Sequence, residues 1–125
     1  MRRIVVATDR SESADRAVAW AVDMAARYEA ELVLVQVVQS STAAIESQLT
    51  RFAEECGARG RVVADSDPSG AIVRTAAEEK ADVLVVGNVG MSGRREFLLG
   101  NVPNRVSHNA PCTVVIVDTS SGGRR

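Results

Sequence analysis

The sequence predicts a single α/β domain, a parallel sheet covered by helices on both faces, and three observations carry that reading. Short runs of β-branched and aliphatic residues alternate with stretches whose apolar residues recur every three or four positions. The short runs are nearly continuous in apolar residues, the pattern of parallel strands buried on both sides. At 125 residues, 46% hydrophobic and 25% charged, the chain is long enough to bury one core and too short for two full domains.

Five strands are expected, at Ile4 to Thr8, Leu32 to Val38, Arg61 to Ala64, Val83 to Val86 and Thr113 to Val117. Between the first two, Ala14, Ala17, Val18, Ala21, Val22, Ala25 and Tyr28 fall on one helical stripe, with Ser11 and Ser13 as candidate N-caps. A second helix carries Ile45, Leu49, Phe52, Ala53 and Cys56 inward and stops in a turn from Gly57 to Gly60. The third opens at Asp67 and Pro68, an N-cap acid followed by a first-turn proline, and buries Ile72, Val73, Ala76 and Ala77. The fourth starts near Gly100, carries Val102 and Val106, and ends around Asn109, before Pro111. Residues 1–118 then form the domain, and the polar, glycine-containing tail from Thr119 to Arg125 is expected to fray. Glu54, Glu55, Glu78 and Glu79 read as solvated helix faces.

Composition narrows the function. A net charge of −1 argues against nucleic acid or an anionic membrane as the main partner. No apolar run approaches the roughly 20 residues of a membrane helix. The N-terminus MRRIVVATD enters a strand without the apolar core of a signal peptide, so a cytoplasmic location is expected. Cys56 and Cys112 form no CxxC, and the single histidine, His108, suits the C-terminal dipole of a helix. A zinc site is therefore not expected, and both cysteines read as small buried hydrophobes.

The chemistry concentrates between Val83 and Val117. The apolar run stops at Gly87, a loop containing Gly90 and Gly93 follows, and Gly100 stands at the mouth of the fourth helix. Glycines let the backbone approach a ligand, and a helix start supplies unpaired N–H groups with a partial positive charge, so the layout reads as a phosphate cradle. Asn101 can donate through its amide and Val102 through its backbone N–H, whereas Pro103 has no N–H to give and fits as a helix initiator. Arg94 and Arg95 lie within the loop, where a planar guanidinium suits phosphate oxygens, although a solvated loop charge is the commoner outcome.

The glycine spacing, Asp9 directly after the first apolar run, and the ending APCTVVIV together resemble the universal stress protein family in its small, single-domain, nucleotide-binding form. The resemblance extends from Ile4 to Val117. It implies the flavodoxin-like strand order 3-2-1-4-5, with the switch point between strands one and four, so that Asp9 and Gly87 face one crevice. It further implies ATP or AMP as the ligand. Ala7, Thr8 and Val37 would line the adenine through backbone and aliphatic contacts, since only 3% of residues are aromatic and no stacking platform is on offer. Asp9 would accept from a ribose hydroxyl or stand as an outer ligand of Mg2+. Val86, Gly87, Gly90, Arg94, Gly100, Asn101 and Val102 would surround the phosphates. The family pattern usually places Ser or Thr where this chain has Asn101, and often an N–H or hydroxyl where it has Pro103. The implied role is a stress-response or signalling module whose nucleotide-bound dimer is the output. The edge strand Thr113 to Val117, with neither proline nor charge, is the expected dimer contact.

Other readings compete. P-loop chemistry is excluded, because GxxxxGK[ST] is absent and the one lysine, Lys80, ends a helix. A phosphorelay receiver needs acids after strand one, an Asp after strand three and a Lys after strand five. Asp9 and Asp65 fill two of those roles, but Asp118 follows the last strand with no lysine near it. A slow ATP hydrolase would use Asp9 and a metal to orient water, though no Ser-His-Asp set accompanies it. A dimeric scaffold without nucleotide is the remaining alternative.

Overall fold

A computed structural model describes residues 1–88 and 101–118, with residues 101–103 described by their backbone alone. The elements run β1 (Arg3–Ala7), α1 (Glu12–Tyr28), β2 (Glu31–Val38), α2 (Ala43–Glu55), β3 (Arg59–Ala64), α3 (Pro68–Glu78), β4 (Val83–Gly87), α4 (Asn101–Asn109) and β5 (Thr113–Val117). Every pairing is parallel, and the strand order is β3-β2-β1-β4-β5, as expected.

Alternation along the strands divides the core into two layers. Ile4 and Val6 join Leu32, Leu34, Val83 and Val85 beneath Ala17, Val18 and Ala21 of α1 and Leu49 and Ala53 of α2. Val5 and Ala7 join Val33, Val35, Leu84 and Val86 against Ile72 and Ala76 of α3 and Val106 of α4. Helices α1 and α2 thus cover one face, α3 and α4 the other. Ser11 caps α1 by accepting from the Ala14 N–H at 3.2 Å, and Thr42 caps α2 by accepting from the Ile45 N–H at 3.2 Å. Asp67 occupies the N-cap of α3 before Pro68, but its carboxylate makes no cap bond. It accepts instead from the Ser69 hydroxyl at 3.2 Å and lies 3.5 Å from Arg105 of α4.

Four local expectations are corrected. Gly57 does end α2, with φ at 71°, but β3 has begun by Arg59, so Gly60 lies in a strand and not in a turn. A Cβ at Gly60 would stand 3.1 Å from Leu49 Cγ and 3.3 Å from Ala53 Cβ, so its bare backbone lets α2 lie close against β3. Tyr28 is 54% exposed, because it is the last residue of α1, just before left-handed Glu29 turns the chain toward β2. Ala77 is exposed and Thr75 is buried in its place. Alanine is small enough to sit on either face, so composition alone does not phase that helix.

Glu79 is the fourth correction, since it is buried. Its carboxylate meets Arg59 at 2.8 Å and Arg61 at 3.0 Å, and its carbonyl accepts from Arg3 at 2.6 Å. Arg3 also reaches Glu31 at 2.7 Å, while Asp82 accepts from the Arg2 and Arg3 N–H groups at 2.7 and 2.9 Å. The network ties β1, β2 and β3 to the end of α3 along the N-terminal edge of the sheet. The Arg59 guanidinium, with Arg61 behind it, holds the Glu79 carboxyl below the usual glutamate range against the opposing effect of burial.

Because the folded state binds the Glu79 proton more weakly than the unfolded chain, this carboxylate stabilises the fold above the ordinary glutamate range. That contribution disappears as pH falls through the depressed folded value. Glu79→Gln is expected to lower stability by about 1–2 kcal/mol at neutral pH, with the half-exposed arginine partners limiting the loss. The gap between variant and parent should shrink below about pH 4. Urea unfolding at neutral and acid pH measures both, and a gap that is constant with pH would contradict the assignment.

Candidate functional site

The carboxyl ends of β1, β2 and β4 lie side by side and carry most of the candidate residues. In β1 and β4, Val5 pairs with Leu84 and Val6 with Val85, so Ala7 at the end of β1 lies beside Val86, one residue short of the end of β4. Gly87 ends β4 opposite Val117 of β5. On the other flank, Ala7 pairs with Val35, and Val37 lies two residues further along β2. Ala7 and Val86 are buried in the layer under α3 and α4, so only their backbones can meet a ligand. Val37 is half-buried at the margin of the same layer and keeps some side-chain surface.

Beyond Ala7 the chain makes a tight turn into α1. Thr8 donates its N–H to the Val35 carbonyl at 2.9 Å, which prolongs the β1–β2 ladder by one bond. Its buried hydroxyl accepts from the Arg10 N–H at 2.9 Å. Asp9 follows, and its Oδ1 accepts from the Ser11 N–H at 2.8 Å. The other oxygen, Oδ2, is buried and has no hydrogen-bond partner among the described residues. A buried carboxylate oxygen left unpaired costs several times what an ordinary hydrogen bond contributes, so it marks a place for a donor from outside the chain. Among the described residues no group of three or more His, Cys, Asp or Glu side chains could hold a metal ion by themselves.

The other half of the expected site is described only in part. Gly90, Gly93, Arg94, Arg95 and Gly100 lie outside the described residues. Asn101 and Val102 form the first turn of α4, with backbone alone described. Since β4 and β5 are parallel, α4 runs back against them and starts at the same edge of the sheet as Asp9 and Gly87. Its first amides have no partner within the helix and favour an anion.

The acids of a receiver are not assembled. β2 separates β3 from β1, and Asp65, just beyond β3, is committed to the Asp67 N–H at 2.8 Å and to the Arg74 guanidinium. Those bonds hold the Asp65 carboxyl below the usual range, the backbone N–H first. Cys56 and Cys112 are half-buried against the two core layers, and burial pushes both thiols up, away from reactive thiolate.

The strand order agrees with comparison to known proteins. A family model for the universal stress protein family matches residues 1–57 and 43–118, which together span nearly the whole chain. The chain belongs to the universal stress protein family. A universal stress protein of Methanocaldococcus jannaschii is 30% identical over 138 positions, covering 93% of this chain and 81% of that one. Among solved structures, a universal stress protein in complex with cAMP is 37% identical, with a TM-score of 0.80, covering 95% of this chain and 98% of that one. The universal stress protein from Archaeoglobus fulgidus in complex with dAMP matches with a TM-score of 0.71 over 94% of this chain and 98% of that one, a likeness of fold at 21% identity.

Sequence reasoning placed Asp9 at the crevice of this universal stress protein but missed its neighbour Arg10, whose left-handed backbone and contact with α2 no local motif announces. If Asp9 is kept for a ligand and not for the fold, Asp9→Asn should leave the nucleotide-free protein as stable as before or slightly more so. The amide retains an acceptor for Ser11 and is less costly to bury than a carboxylate. Thermal unfolding without nucleotide measures this; a loss above about 1 kcal/mol would mean that the second oxygen serves the fold.

Proposed function

We propose that this universal stress protein binds an adenine nucleotide, ATP or AMP, in the crevice between the ends of β1 and β4, and acts as a stress-response or signalling module. The observation that carries the reading is the buried, unpartnered Asp9 Oδ2. An ionised carboxylate only accepts, so its complement is a donor such as a ribose hydroxyl, and its charge keeps phosphates at a distance. The start of α4 offers what phosphates need, backbone N–H groups and positive dipole, with Gly100 directly before it. A ribose on Asp9 and phosphates toward Asn101 and Val102 give the nucleotide one orientation. Gly87 and Gly90 would let the chain approach it closely, and Arg94 would close over the outer phosphates. Val37 and the backbones of Ala7 and Thr8 would hold the base. The cAMP found in the related structure retains one free ribose hydroxyl, which suits a single open carboxylate oxygen.

With ATP, Mg2+ would balance the phosphate charge, and Asp9 would be the acid to reach it indirectly, through water. Turnover is not the expected output. Asp9 is already bonded to Ser11, no general base stands beside it among the described residues, and a slow hydrolase is the secondary reading.

Gly100→Val should abolish ATP binding while the protein stays folded, because a branched side chain would stand where phosphate must approach the helix start. Calorimetry with ATP and with AMP is the test, and undiminished affinity in the variant would falsify the site. The same titrations address Asn101. ADP and AMP are expected to bind about as well as ATP, and Asn101→Ser should shift the preference toward ATP by about 1 kcal/mol, the scale of one net hydrogen bond. A parent protein that already prefers ATP a hundredfold would contradict this part.

The nucleotide-bound form is proposed to be a homodimer joined through β5. That strand has β4 on one side only, and Ile116 is 46% exposed on it. An open edge with an apolar residue favours pairing with a second copy about a two-fold axis. Ile116→Lys should give monomers in sedimentation at micromolar concentration, and a parent protein that sediments as a monomer would reject the dimer.

A further inference from the structure

The turn that carries Asp9 is fastened from outside the crevice by a residue with no part in the nucleotide contacts. Three described residues other than glycine have φ in the left-handed region. Two of them, Glu29 and Lys80, follow helix ends, where that conformation is ordinary. Arg10, at 66°, stands instead between Asp9 and Ser11. An L-residue persists there only when its surroundings fix it. Its N–H donates to Thr8 Oγ1 at 2.9 Å. Its guanidinium carbon lies 3.4 Å from the centroid of the Phe52 ring, and Nη1 pairs with Asp15 in the first turn of α1.

We infer that Arg10 is a positioning residue for the nucleotide site: its stack on Phe52 and its pair with Asp15 set the Thr8–Ser11 turn, and thereby the orientation of the Asp9 carboxylate. This rests on the nucleotide reading above. Asp9 and Ser11 flank Arg10, so the backbone angles of Arg10 set how the Ser11 N–H meets Asp9 Oδ1. That bond occupies one carboxylate oxygen and leaves the other for a ligand. Freed of its anchors, the turn would sample other conformations, and a nucleotide would have to order it on binding. Phe52 belongs to α2, so the seating of α2 enters nucleotide affinity through this contact.

Arg10→Gly is the informative variant, because glycine adopts this φ without strain and the fold should survive. In the nucleotide-free protein the Ser11 amide should exchange with solvent faster than in the parent. In calorimetry, AMP affinity should fall about three- to tenfold. Phe52→Leu, which keeps apolar bulk and removes the ring face, should give a similar fall. The double variant should lose no more than either single one, the signature of two groups acting as one device. Arg10→Lys, which restores a cation over the ring, should recover part of the loss.

Unchanged Ser11 exchange in Arg10→Gly, or losses that multiply in the double variant, would overturn the positioning role while leaving the nucleotide site intact. A parent protein that binds neither AMP nor ATP would instead overturn the nucleotide reading, and this inference with it.

Discussion

The structure depends on one constraint, the parallel pairing of β1 on both of its edges, with β2 on one side and β4 on the other. Parallel neighbours cannot be joined by a tight turn, so each step to the next strand needs a crossover helix, and the crossover has a fixed hand. The chain builds outward through β2 and β3, then returns across the sheet and builds the other way through β4 and β5. With the hand fixed and the direction reversed, α1 and α2 must fall on one face and α3 and α4 on the other. The chain therefore leaves β1 and β4 for helices on opposite faces, the arrangement that favours a ligand crevice at the switch point of such sheets. Central position also explains why Ile4, Val5 and Val6 have no exposed surface.

The two ends of the sheet are finished in opposite ways. At the amino ends of the strands the acids are matched, the buried Glu79 and the exposed Glu31 and Asp82 alike. Glu79 has two arginines, Glu31 has Arg3 and Arg59, and Asp82 takes two backbone N–H groups. At the carboxyl ends half-buried Asp9 keeps one buried oxygen without a partner among the described residues. Burying a carboxylate oxygen is costly, so Glu79 and Asp9 differ in what the chain supplies to them. Natural folds leave such a deficit where a ligand makes it good, and the matched network opposite supplies stability that the open end forgoes.

The fold was legible because its signals are redundant. Five apolar runs, the Ser11 cap, the Asp67–Pro68 start and the glycine after α2 each reported an element, and the family resemblance selected the strand order among the few that crossovers allow. What escaped were features fixed by tertiary contact. Gly60 looked like a turn residue because glycine is common in turns, yet its role is to admit Leu49 and Ala53 against a strand. Glu79 looked solvated because its partners, Arg59 and Arg61, come from β3, far from it in sequence. Ala77, expected to be buried, is exposed because an alanine side chain is too small to fix the phase of α3. For the site, Asp9 and Gly87 were legible from their places after strands, whereas the Arg10 contact with Phe52 joins two elements that no spacing rule connects.

The turn after β1 carries two tasks at once, and their chemistry explains why it is so tightly bonded. Ser11 starts α1 by giving its side chain to Ala14, and its own N–H goes to Asp9. The acid proposed to meet the ligand is therefore also part of the helix start. A carboxylate in that position lies beside the positive end of the α1 dipole. The bond to Ser11 occupies Oδ1 and leaves Oδ2 without a partner among the described residues. In the proposed nucleotide complex the phosphates would meet a different positive end, the start of α4, which lies along the same edge.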